Sequence, residues 1–159
     1  MEYGQIFSDK TILQIGMSMI KNLQVIHTAG YTYNDLKLDN ILVGNSKGSH
    51  LDMLRLVDFG FAARFLKKDG THMPVQETEY FRGNMIFASI NLFNFQVTSR
   101  RDDLISLVYM LVFMFNQGNL PFISEDQEKM GRNQIFSLIK KAKQNLKVDD
   151  LCLVNYNPT

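Results

Sequence analysis

Cysteine is nearly missing: Cys152 is the single one in 159 residues. That excludes an internal disulfide framework and any multi-cysteine zinc site, and it fits a reducing compartment. Cys152 itself reads as a small buried hydrophobe. Neither sign of charge dominates, with 17 Lys and Arg against 16 Asp and Glu and a net charge of +1. A broad electrostatic attraction for nucleic acid or an anionic membrane is therefore lacking, and neither is expected as a partner. The longest strongly apolar run, Leu104 to Phe115, is about twelve residues, well short of the roughly twenty that span a bilayer. Met1-Glu2-Tyr3-Gly4-Gln5 has neither the basic start nor the apolar run of a signal peptide. These absences lead to the expectation of a soluble, intracellular protein, cytoplasmic or nuclear. Repeats, low-complexity tracts and linkers are missing too, so residues 1–159 read as one unit. What remains is 45% hydrophobic, enough for a substantial core.

The periodicity begins at Ser8. Ser8 or Asp9 can cap a helix in which Ile12, Ile15, Met19, Leu23 and Ile26 recur at three- and four-residue steps, and Gly30 stops it. His27, near that end, reads as a packed or capping side chain, since no second imidazole or thiol stands at ligand spacing. Ile41-Leu42-Val43 and Met53 to Val57 read as two strands of a hairpin around the turn-rich Gly44-Asn45-Ser46-Lys47-Gly48-Ser49. Those glycines match no phosphate-loop spacing. Phe61 to Tyr80 has little periodicity and is expected to be a mobile loop. Arg101 to Phe115 is apolar nearly all round, as a helix in the middle of a domain would be. Asn116-Gln117-Gly118-Asn119-Leu120-Pro121 breaks it. Glu125 to Leu146 reads as a last amphipathic helix, with Ile135, Leu138, Ile139 and Ala142 on one face. Lys140, Lys141 and Lys143 are assigned to a solvated one.

Two stretches resist explanation by packing. Tyr33-Asn34-Asp35-Leu36-Lys37-Leu38-Asp39-Asn40 spaces Asp, Lys and Asn as a catalytic loop would, and Asp58-Phe59-Gly60 follows at the end of the apolar run Leu54 to Val57. By average residue usage D-F-G arises by accident in roughly one chain in fifty of this length, and D-L-K-x-x-N in roughly one in five hundred. Together, and in this order, they resemble the H-R-D-L-x-x-x-N and D-F-G elements of protein kinases. Ala88-Ser89-Ile90-Asn91 and Ser99-Arg100-Arg101-Asp102-Asp103-Leu104 narrow the resemblance to casein kinase I-like kinases, which carry S-I-N where most kinases carry A-P-E.

The resemblance covers essentially the whole chain. It implies a mainly helical α+β fold, the large lobe of a serine/threonine protein kinase with a small β-hairpin and without its small lobe. The chain would begin near the hinge, at Met1-Glu2-Tyr3, and end before the last helices of that lobe. The implied cofactors are ATP and magnesium, and the implied partner is a protein substrate; the oligomeric state is left open. Catalysis would fall to Asp35, orienting the acceptor hydroxyl and taking its proton, and to Lys37, reaching the transferring phosphoryl group. Asn40 and Asp58 would hold magnesium through oxygen. Leu42 would form the apolar floor under adenine, so that Leu42, Lys37, Asn40 and Asp58 make the nucleotide site. Asp103 would support the catalytic loop's backbone and should be buried there.

Four departures from the family pattern carry expectations of their own. Tyr33 replaces the usual His. Asn34 replaces the Arg that pairs with a phosphorylated activation loop, so that form of control is not expected. Asn84 stands where a threonine bridges the catalytic Asp and Lys. Ile86 replaces an anion-binding Arg, so a preference for phosphate-primed substrates is not carried over. The rival reading is a catalytically inactive, pseudokinase-like interaction module.

Overall fold

The hydroxyl of Ser8 accepts the N–H of Thr11 at 3.2 Å and opens helix α1, Asp9–Thr28. Ile12, Met19 and Leu23 are buried along one stripe, with Ile15 and Ile26 packed beside them. Gly30, at φ +85°, takes the left-handed turn that ends the helix. The computed structural model describes residues 7–44 and 54–151. The hinge-like Met1-Glu2-Tyr3, the turn from Asn45 to Ser49, Met53 and Cys152 lie outside the described residues.

After Gly30 the chain forms β1 (Tyr31–Thr32), the catalytic-loop stretch, a 3₁₀ turn (Leu38–Asn40) and β2 (Ile41–Val43). It returns as β3 (Leu54–Leu56), antiparallel to β2 with Leu42 opposite Arg55. That is the expected hairpin. A second pairing was not foreseen: β4 (Ala63–Arg64) lies antiparallel to β1, Tyr31 opposite Arg64. Two residues a side are too few to show any alternation in sequence.

The segment expected as a mobile loop is instead tied down piece by piece. Leu66 bridges His72 around a turn in which Asp69 accepts from the Thr71 N–H and hydroxyl at 2.9 and 2.6 Å. Further on, Glu77 bridges Gln96, with Thr78 N–H donating to the Phe95 carbonyl at 2.7 Å. A more distant tie is the Phe65 N–H, which donates to the Gly30 carbonyl at 3.1 Å.

A short helix, α2 (Ile90–Phe93), capped by Ser89, leads to the long α3 (Arg100–Phe115). Leu107, Met110 and Met114 of α3 pack into the core with Ile12, Met19 and Leu23 of α1. Burying each such side chain contributes about 1.5–3 kcal/mol. The helix is not enclosed on every side, because Leu104 and Val108 are exposed. Gln117 and Gly118, both at positive φ, end it where the breaker residues predict.

The last amphipathic stretch divides. Glu125–Lys129 is a 3₁₀ turn, Gly131 caps, and α4 runs Arg132–Asn145, followed by a short turn at Val148–Leu151. Phe136 of α4 packs against Phe81, Phe93 and Phe95, with ring centroids 4.9–5.8 Å away. Lys143 departs from the expected solvated face and is buried. It stands four residues after the buried Ile139, one turn along the same side of the helix.

Candidate active site

Asp35, Lys37 and Asn40 come together. Asp35 is 2% exposed, and its Oδ2 lies 3.0 Å from the Lys37 ammonium and accepts the Asn40 amide at 2.9 Å. The same amide donates to the Asp35 main-chain carbonyl at 2.9 Å. Both amide protons are thus spent on Asp35, which leaves the Asn40 side-chain oxygen outside those bonds. The 3₁₀ turn at Leu38–Asn40 brings this about, reversing the chain so that Asn40 reaches back over Asp35.

Asp58 arrives from the hairpin. Val57 N–H donates to the Asn40 carbonyl at 3.0 Å, setting the residue before Asp58 against the loop. Asp58 has φ +59°, a left-handed conformation that Asp tolerates better than most residues. Its side chain is exposed, and one carboxylate oxygen accepts the Gly60 N–H at 3.1 Å. Leu42, on β2, is half exposed beside the exposed Val43.

Tyr33 clamps the two parts. It is wholly buried, its hydroxyl donates to the Val57 carbonyl at 2.5 Å, and its ring meets Phe59 edge-on at 5.4 Å. Burial, reinforced by the charges of Asp35, Asp58 and Asp103 and opposed by Asn40, pushes the phenol up to about 12. The group therefore holds its proton more tightly folded than unfolded. Its contribution to stability is full below the ordinary phenol pKa near 10 and is lost as pH rises through about 12. In a spectrophotometric titration, the phenolate absorption that Tyr33→Phe removes should appear near pH 12. Its appearance near pH 10 would contradict the clamp.

Asp103 holds the loop from below, as expected. At 1% exposure it accepts the backbone N–H groups of Tyr33 and Asn34, each at 2.8 Å. His27 Nε2 lies 2.8 Å from the same carboxylate. This contact shows the role of the packed histidine, and nothing local to α1 announces it. Asn34, at φ +69°, donates its amide to the Phe61 carbonyl at 2.8 Å and so ties the loop to the segment after Gly60. Gly83 fits against it only as glycine: at φ +130°, an added Cβ would lie 2.5 Å from the Asn34 carbonyl oxygen.

Asn84 uses its side-chain oxygen locally. Its side-chain oxygen accepts the N–H groups of Ile86 and Phe87 at 2.8 and 3.1 Å. The S-I-N and S-R-R-D-D stretches prove to be one structural unit. Buried Asp102 accepts from Ser89 at 2.6 Å, from Asn91 at 2.8 Å and from the Ser99 N–H at 2.7 Å. Their appearance together in the sequence was the available signal for this unit.

The donor set suits a hard cation. Asn40 and Asp58 offer only oxygen, and among the described residues no group of three His, Cys, Asp or Glu side chains could hold a metal by itself. A magnesium ion bound here would draw further oxygens from a nucleotide or water. Also among the described residues, no helix is long and apolar enough to cross a membrane.

Comparison with known proteins identifies relatives among protein kinases. The chain is 31% identical over 150 residues to a probable casein kinase I homolog of Encephalitozoon cuniculi, covering 94% of this chain and 45% of that protein. It is 37% identical over 126 residues to a probable serine/threonine-protein kinase of Dictyostelium discoideum, covering 79% of this chain and 25% of that one. It thus spans less than half the length of either relative. The protein kinase domain family matches residues 1–153, and the chain belongs to that family.

Proposed function

We propose that this chain is the catalytic-loop portion of a serine/threonine kinase that transfers the γ-phosphoryl group of ATP to protein hydroxyls. The observation that carries the reading is the buried Asp35, joined to both Lys37 and Asn40 within one loop. Asp35 orients the acceptor hydroxyl and takes its proton. Lys37 neutralises charge on the transferring group, and Asn40 and Asp58 would hold magnesium. Bound magnesium and ATP would supply the electrophilic phosphoryl group. Leu42 supplies the apolar floor under adenine. The large lobe of the kinase fold is the architecture we assign to it.

Catalysis of this kind rests on alignment, and a misplacement of about 1 Å costs on the order of a hundredfold. The test is incubation with γ-labelled ATP, magnesium and a generic acidic protein, followed by identification of the labelled residue. Label on serine or threonine supports the reading. Label on tyrosine would contradict the assigned specificity. A total lack of transfer, with full binding of a protein partner, would favour an inactive interaction module.

A further inference from the structure

Lys143 of α4 is buried and far in sequence from the catalytic loop. It is 5% exposed, and its ammonium donates to the carbonyl oxygens of Ala88, Ile86 and Met85 at 2.5, 2.7 and 3.2 Å. The rings of Tyr109, Phe122 and Phe93 surround it, with centroids 4.5, 4.6 and 5.2 Å away. Among the described residues no carboxylate stands at ion-pair distance from it. Burial pushes its pKa down to about 6. Against that, three carbonyls take three N–H groups, which only the ammonium has, and the ring faces add attraction for a cation. The geometry is that of a cation held to gather backbone.

The gathered backbone matters because of what precedes it. Asn84 closes the same turn from the other side, its carbonyl accepting the Ala88 N–H at 2.9 Å and its side chain accepting those of Ile86 and Phe87. Gly83, one residue earlier, lies directly against the carbonyl of Asn34, the neighbour of Asp35. A continuous path therefore runs from α4 through residues 83–88 to the catalytic loop. The path is short and made of backbone.

We propose that Lys143 is a positioning residue: from α4 it fixes the 83–88 segment against Asn34 and so sets the wall beside Asp35. The catalytic part of this proposal rests on the kinase reading, while the fixing of the segment stands on geometry alone. The test is amide hydrogen exchange on the full chain, comparing wild type with Lys143→Met, which keeps the bulk and removes the charge. Exchange at Ile86, Phe87 and Ala88 should rise about tenfold or more through local opening, while the Met19 and Leu23 amides in α1 keep their rates. Lys143→Arg should restore part of the protection. If Lys143→Met fails to fold, Phe122→Leu, which removes one ring face, should give the same local pattern in weaker form. An equal rise throughout the chain, or none at residues 86–88, would overturn the proposal.

Transfer kinetics supply the second readout. Lys143→Met should lower kcat with the acceptor while leaving magnesium-dependent ATP binding unchanged, a split that general loss of structure would not produce. Equal losses in both would overturn the positioning role. A wild-type chain without transfer would count against the kinase reading, and the exchange pattern would then decide the role of Lys143.

Discussion

Asp103→Ala is expected to cost about 3–5 kcal/mol of folding stability, the range found when one member of a buried charged network is removed. The cause is what the substitution leaves behind. The N–H groups of Tyr33 and Asn34 and the ring of His27 all lose the same carboxylate, which is itself 1% exposed. Each buried group left unsatisfied costs about 1–3 kcal/mol. Asp103→Asn, which keeps one acceptor oxygen, should cost less. Urea denaturation measures both, with an unchanged m value showing that stability and not denatured-state compactness has moved. A loss within about 1 kcal/mol, typical of an exposed pair, would mean that the catalytic loop stands without this support.

Asp35→Asn is expected to reduce phosphoryl transfer by about 10²–10⁴-fold, the usual contribution of a positioned general base. The substitution retains an oxygen that can accept the Asn40 amide, so the loop should keep its shape. It removes the negative charge beside Lys37 and, with it, the base proposed for the acceptor's proton. Label transferred from γ-labelled ATP, compared at equal folded fraction, gives the ratio. Equal rates for wild type and variant would place the chemistry elsewhere.

What was legible in the sequence was whatever is decided within a few residues. Ser8 caps because its hydroxyl is three residues from an unpaired N–H. Ile12, Met19 and Leu23 share a stripe because of helical spacing. The β2–β3 hairpin could be read because its strands lie close in the chain. The loop from Asp35 to Asn40 was legible because packing does not explain Asp, Lys and Asn at that spacing, and the fold joins the three side chains. The contacts that hold the site in place were less so. The resemblance foretold support from Asp103, but not the contact with His27, 76 residues away in the chain. Lys143 looked like one more surface lysine because it sits in a run with Lys140 and the exposed Lys141. Only the packing of α4 against α2 shows that its face turns inward. Loops read from low periodicity looked mobile because their ties are single hydrogen bonds to distant backbone.

The most direct measurement of the central claim is an NMR titration of the chain with ATP, with and without magnesium. The expected result is a magnesium-dependent shift of the Asn40 side-chain amide and of the backbone amides of Asp58 and Gly60, saturating with weak affinity and abolished by Asp58→Asn. Shifts that ignore magnesium, or that persist unchanged in Asp58→Asn, would contradict the assignment of this loop and hairpin as the nucleotide-handling site of a kinase.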